Sequence, residues 1–210
     1  MKPFICLLGL SWSLLVAPSR ILAQLPEIRF GRQVSGDVRL IYDRGLQYLA
    51  QTQTKAGNWA GRGGLTVQGR GGATGVTGLC MMAFLASGED PNFGKYSKHV
   101  QRAVKHMILS QDPNTGYLPG SMYNHGFAML ALAEAYGAVD EESIWDGTED
   151  RSRRRSIGEA LDLAVRCAIT AQKNTQWGGW RYSPQDRSAD TSVSGAVLMG
   201  LLGARNAGIE

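Results

Sequence analysis

The stretch AITAQKNTQWGGW, residues 168–180, runs an apolar helical segment into a glutamine and then into a glycine-led aromatic turn. The same grammar occurs twice earlier, as YLAQTQTKAGNW at 48–59 and MILSQDPNTGYL at 107–118. Gln51, Gln111 and Gln172 stand 60 and 61 residues apart. A second, almost wholly apolar stretch follows each turn: GVTGLCMMAFLASG at 75–88, HGFAMLALAEAYG at 125–137 and SVSGAVLMGLLGARNAG at 192–208. Self-similarity at a fixed period marks a repeat architecture. The expected unit is therefore a helix, a Gln-Gly-aromatic turn and a second helix, repeated three times in an all-α fold.

Periodicity supports the helices independently of the turns. Val38, Ile41, Leu46 and Leu49 fall on one helical face, as do Val100, Ala103, Val104, Met107 and Ile108, and Leu161, Ala164, Val165, Ala168 and Ile169. Ser156 and Glu159 are spaced as a capping box at the start of the third of these helices. Their partners, 76–86, 127–136 and 193–204, are apolar on nearly every side, so each must be covered almost all round. Amphipathic helices alternating with fully apolar ones imply two nested layers, the second helix of each pair lying inside.

The connections carry the irregular composition. Nine glycines fall between Gly57 and Gly78, and Asp140 to Arg155 runs six acids into four arginines, which reads as a solvated insertion. At the N-terminus Lys2 precedes the apolar run 4–16, and Ile21-Leu22-Ala23 offers a peptidase site, so residues 1–23 read as a leader for export. Residues 24–36 then form a linker and 37–210 the repeats. The net charge is +4 for the whole chain, and losing Lys2 and Arg20 with the leader brings it to +2. That excess is too weak to argue for nucleic acid, and two Arg-Gly-Gly stretches at 62 and 70 do not change this. Cys80 and Cys167 sit in apolar helical runs, where cysteine acts as a small core residue; a disulfide between them stays open.

The recurring residues form a structural clasp: Gln51, Gly57 and Trp59; Gln111, Gly116 and Tyr117-Leu118; Gln172, Gly178 and Trp180. A glutamine at a helix C-terminus can bond backbone groups that lack intrahelical partners, and an indole can stack on its amide and cover the turn. The glycine supplies the left-handed conformation that ends the helix.

These motifs resemble the QW repeats of the squalene–hopene cyclase and protein prenyltransferase superfamily, over about 37–209. The resemblance implies an α/α toroid, of which three helix hairpins make a partial ring, and so a chain truncated at its C-terminus. It also implies where chemistry would lie. RSADTSVSGAVLMGLL, 187–202, is similar to the cyclase region that carries an Asp-x-Asp-Asp proton donor. Asp190 matches the final aspartate, Ala189 falls at the donor and Arg187 at the first aspartate. The inner helices offer only Phe84, Phe127 and Tyr136 for cation stabilisation. The prenyltransferase branch implies zinc, for which Cys80, Cys167, His125 and Asp190 supply atom types but no ligand spacing.

No confident catalytic residue emerges; Asp190 and His125 are the candidates, with His125 expected more often to bond the preceding turn. Neither a cofactor nor a metal is expected. The favoured reading is an exported toroid-repeat module that binds an apolar, isoprenoid-type small molecule or a protein, the second half of a ring included. A second reading is the N-terminal part of a squalene–hopene-cyclase-like terpene cyclase, an isomerase. A third is a polysaccharide-active α/α enzyme using Asp186, Asp190 and Glu134.

Overall fold

The computed structural model describes residues 34–59, 74–147, 152 and 154–209. The stretch read above as a leader, most of the one read as a linker, the glycine-rich stretch 60–73 with both Arg-Gly-Gly segments, and part of the acidic–basic insertion lie outside the described residues. The chain divides after Arg39 into two units. The first is described from Val34, where the Arg39 Nε–H donates to the Val34 carbonyl. The second, 40–210, carries the rest.

Among the described residues there are seven helices and no strand: α1 Gly36–Thr52, α2 Thr74–Leu85, α3 Ser97–Ser110, α4 Met122–Ala135, α5 Glu141–Ile144, α6 Ile157–Gln172 and α7 Thr191–Asn206. The fold is all-α, as the periodicity requires. The helix starts follow from their caps: Ser121 begins α4 and Asp190 begins α7, each side-chain oxygen accepting from backbone N–H groups of the first turn. The Ser156–Glu159 capping box of α6 is fully formed.

Two pairs of consecutive long helices pack together, α3 with α4 and α6 with α7, while α1 is tied to α2 through its turn, where the Trp59 N–H donates to Thr77 Oγ1. The apolar second helices lie side by side, with α4 between α2 and α7, while α3 packs on α2, α4 and α6, and α6 on α4 and α7. Missing side chains set the close approach of the inner row. A Cβ on Gly78 would stand 2.9 Å from the Phe127 carbonyl oxygen, and one on Gly126 would stand 2.5 Å from that of Ala196. Backbones can meet this closely only where no side chain intervenes. Phe127 and Ala196 each lie two positions after their helix's turn-bonding residue, His125 and Ser194, so the two junctions share one register.

The expectation that every inner helix is covered all round holds for α4, whose Met122, Met129 and Leu132 are fully buried. It fails for α2 and α7, where Val76, Leu79, Leu198, Met199 and Leu202 are exposed, because each has an inner neighbour on one side alone. The amphipathic face of α1 is likewise corrected. Leu46 is buried, but Ile41 is 70% exposed. The insertion is also less solvated than expected: Ile144 is buried, and the Arg155 guanidinium donates to the carbonyls of Ile108 and Gln111 at the end of α3, satisfying groups the helix leaves open.

Candidate functional site

The turns follow one plan. In the second, Gln111 Nε2 donates to the Gly116 carbonyl of its own turn at 2.9 Å and to the Ala160 carbonyl of the next outer helix at 2.8 Å. One amide thus closes a hairpin and fastens it to its neighbour. In the first turn these bonds belong to Gln53, which donates to Gly57 and to His99, both at 2.9 Å. Gln51 is exposed and takes no part, which corrects the motif assignment. The chain leaves α1 at Thr52, so the glutamine one step beyond the helix, and not one still on its surface, can turn back onto the glycine. We expect Gln53→Ala to lower the unfolding free energy by about 1–2 kcal/mol and Gln51→Ala to stay within about 0.5 kcal/mol, read from urea titrations.

The other motif residues also have defined contacts. Gly57, Gly116 and Gly178 have φ of 90°, 73° and 67°, the left-handed region where a side chain is strained. Trp59 Nε1 donates to the Leu49 carbonyl at 2.8 Å and Trp180 Nε1 to that of Ala168 at 2.7 Å, so each indole caps the last turn of its outer helix. Leu118, fully buried, takes the corresponding place in the second turn. The backbone N–H of this residue finds an acceptor on the inner helix each time: Thr77 Oγ1 for Trp59, His125 Nδ1 for Leu118 and Ser194 Oγ for Trp180.

His125 is therefore part of the turn. Because Nδ1 accepts from Leu118, Nε2 carries the proton and donates to the Ala164 carbonyl at 3.0 Å. Burial pushes its pKa down to about 4, and the ring is stacked on Tyr117. It is neutral and inaccessible. Asp190 Oδ1 accepts from the Ser192 hydroxyl and from the Ser192 and Val193 N–H groups. Those bonds, the hydroxyl's foremost, hold its pKa below the ordinary carboxylate value. It is an ionised helix cap, the opposite of a proton donor.

The remaining candidates are not brought together. Ser121 and Asp190 begin parallel, adjacent helices, and Glu134 lies 13 residues beyond Ser121 along α4. At a rise of about 1.5 Å per residue, that puts Glu134 about 20 Å from the Asp190 end, too far for a paired-carboxylate mechanism. Asp186 accepts from the Ser183 N–H within its own loop. Cys80 and Cys167 are both unpaired in disulfide terms, and burial raises each thiol to about 11. Among the described residues no cluster of three His, Cys, Asp or Glu could hold a metal ion.

A cleft of about 740 Å³ opens beside the start of α4, between the second turn and the loop that follows Trp180. Tyr117, Tyr123 and Tyr182 supply its rings, and Ser121, Asn124 and Gln185 its polar groups, with Cys167 at its wall. The Met122 N–H donates to the Tyr182 carbonyl at 2.8 Å, tying the loop to the helix. Tyr123 is set edge-on to Phe127, 5.0 Å between centroids. Burial, then the neighbouring Cys167, raises the Tyr117 phenol to about 12, so it stays protonated. Among the described residues the lining holds no ionised group at neutral pH. Sequence reasoning missed this cleft, since Tyr182 comes from a loop about 60 residues beyond the stretch that carries Tyr117 and Tyr123. Compared with family models, curated proteins and solved structures, the chain finds no match.

Proposed function

We propose that the chain is an exported module of the α/α-toroid type, similar in its Gln-Gly-Trp turns to squalene cyclase and prenyltransferase repeats. Its role is to bind an uncharged, largely apolar molecule of the isoprenoid kind in the Tyr117–Tyr123–Tyr182 cleft, without transforming it. The observation that carries this reading is the lining itself: three phenol rings, a few neutral hydrogen-bonding groups and, among the described residues, no carboxylate, imidazole or basic side chain. A cleft of this make-up favours ring and hydrocarbon surface. It offers no acid, base or nucleophile, because the Cys167 thiol stays protonated at neutral pH.

The cyclase reading requires a proton donor. Ala189 stands at the donor position, and the adjacent Asp190 is engaged as an ionised cap. The test is a titration with farnesol and with squalene in dilute detergent, followed by tyrosine fluorescence, with products sought by mass spectrometry. Saturable quenching with no new product is expected, together with at least tenfold weaker binding in Tyr182→Ala, a residue 53% exposed, whose melting temperature is expected to hold. Absence of saturable quenching, binding unchanged in the variant, or cyclic product would overturn the proposal.

A further inference from the structure

Neighbouring hairpins are joined by three contacts in a fixed register. The turn glutamine donates to an outer-helix carbonyl, His99 from Gln53 and Ala160 from Gln111. The turn glycine lies against another carbonyl three residues on, Arg102 for Gly57 and Leu163 for Gly116. The inner glycine lies against an inner-helix carbonyl, Phe127 for Gly78 and Ala196 for Gly126. In the third hairpin the corresponding residues are Gln172, Gly178 and Gly195. Gln172 Nε2 bonds its own Gly178 carbonyl alone, and Cβ atoms built on Gly178 and Gly195 meet nothing within 4 Å. The α7 stripe around Gly195, made of Leu198, Met199 and Leu202, is exposed, as are Ile169 and Trp177.

The same register identifies what fits this edge. Counting back from the turn glutamine, His99 and Ala160 correspond to Ile41, and Ala103 and Ala164 to Gly45. Ala103 and Ala164 are fully buried against a preceding hairpin, whereas Ile41 is 70% exposed and Gly45 open. On the inner row Val193 and Ala196, both buried, correspond to Val76 and Leu79, both exposed. The first hairpin therefore presents, uncovered, the outer position that the second and third hairpins bury as Ala103 and Ala164 and the inner positions that the third buries, while the second half-buries Asn124 and Phe127 there. One edge of the molecule has the plug and the other the socket.

We propose that a second copy of this chain fills the edge head to tail, its α1/α2 hairpin taking the place that α3/α4 and α6/α7 take within the chain. The contact is heterologous: each copy uses a different surface, with Gln172 donating to the Ile41 carbonyl of the other copy. Apolar faces left at both ends of a repeat array promote association of this kind. The proposal rests on the repeat reading and is independent of any ligand in the tyrosine cleft.

The test is the solution mass of the full chain by light scattering and sedimentation velocity, compared with two variants that each block one edge. Gly195→Leu fills the plug edge and Ile41→Glu charges the socket; both positions are open, so helix content and melting temperature are expected to hold. Wild type is expected at a multiple of the chain mass and each variant at the single-chain mass. A one-to-one mixture of the variants is expected to regain a dimer, since one intact plug then meets one intact socket. A single-chain mass for wild type, unaltered association in either folded variant, or a mixture that stays at the single-chain mass would each overturn the proposal.

Discussion

Gly116→Ala is expected to destabilise the chain by about 2 to 5 kcal/mol, and Gly178→Ala, the same substitution at the matching turn, by about 1 to 2 kcal/mol. Both glycines have φ near +70°, so both variants carry the cost of an alanine in the left-handed region, about 1–2 kcal/mol. The difference comes from the surroundings. A Cβ at Gly116 would overlap the Leu163 carbonyl of α6, which is rigid backbone inside a helix and cannot rotate away. Relief requires the second and third hairpins to separate where Gln111 fastens them, an overpacking penalty of about 1–3 kcal/mol beyond the local strain. At Gly178 nothing lies within 4 Å. Urea unfolding of the two variants side by side checks this, and equal losses would mean that the turn conformation, and not the junction between hairpins, is what the glycine serves.

Replacing His125 by Phe is expected to cost about 2 to 4 kcal/mol, the second large effect. The Leu118 N–H would lose its acceptor in a fully buried site, a loss of about 1–3 kcal/mol, and the ring would no longer tie α4 to α6. His125 also sets a pH dependence whose sign follows from its lowered pKa. Between the ordinary value of 6.5 and the folded value of about 4, the unfolded chain binds the proton and the folded chain resists it. Stability is therefore full above pH 6.5 and falls as the pH drops through that window, by roughly 3 kcal/mol in total. His99 and His106, also lowered, chiefly by burial, act in the same direction. Asp112 and Asp190, lowered by hydrogen bonds, withdraw their contribution as the pH falls further. In His125→Thr, which copies Thr77 of the first hairpin, most of the loss between pH 6.5 and 4 should disappear. An unchanged pH profile would show that the ring is protonated without opening the turn.

The six long helices were legible because two independent signals coincide in the chain, apolar periodicity and the recurrence of a glutamine before a glycine-led turn. Ser156 and Glu159 announced the start of α6 by spacing alone. The first glutamine was misassigned because Gln51 and Gln53 both precede Gly57 at workable distances. Spacing cannot tell a residue still on the helix from one just past it. The two roles differ by the direction of one side chain, which depends on where α1 stops.

Each indole donates a hydrogen bond to its own outer helix, a contact the repeat pattern does not specify. The repeat pattern named the residues of the clasp but not the atoms that meet. Gln111 illustrates the limit. Its Oε1 is buried without a partner, whereas Gln53 Oε1 accepts from Arg102 at 2.7 Å. Leu163 occupies the place of that arginine in the next junction, a difference that has meaning only once the helices are side by side.

The sequence by itself determined the all-α class and the start of α6, because periodicity and capping depend on neighbours within a few positions along the chain. Tertiary structure decided which faces are covered, that His125 bonds the carbonyl of a neighbouring helix, and that Tyr182 joins Tyr117 and Tyr123 in one cleft. Burial, and with it the proton affinity of His125, is set by groups distant in sequence. No local pattern encodes whether a helix has a neighbour on one side or on two.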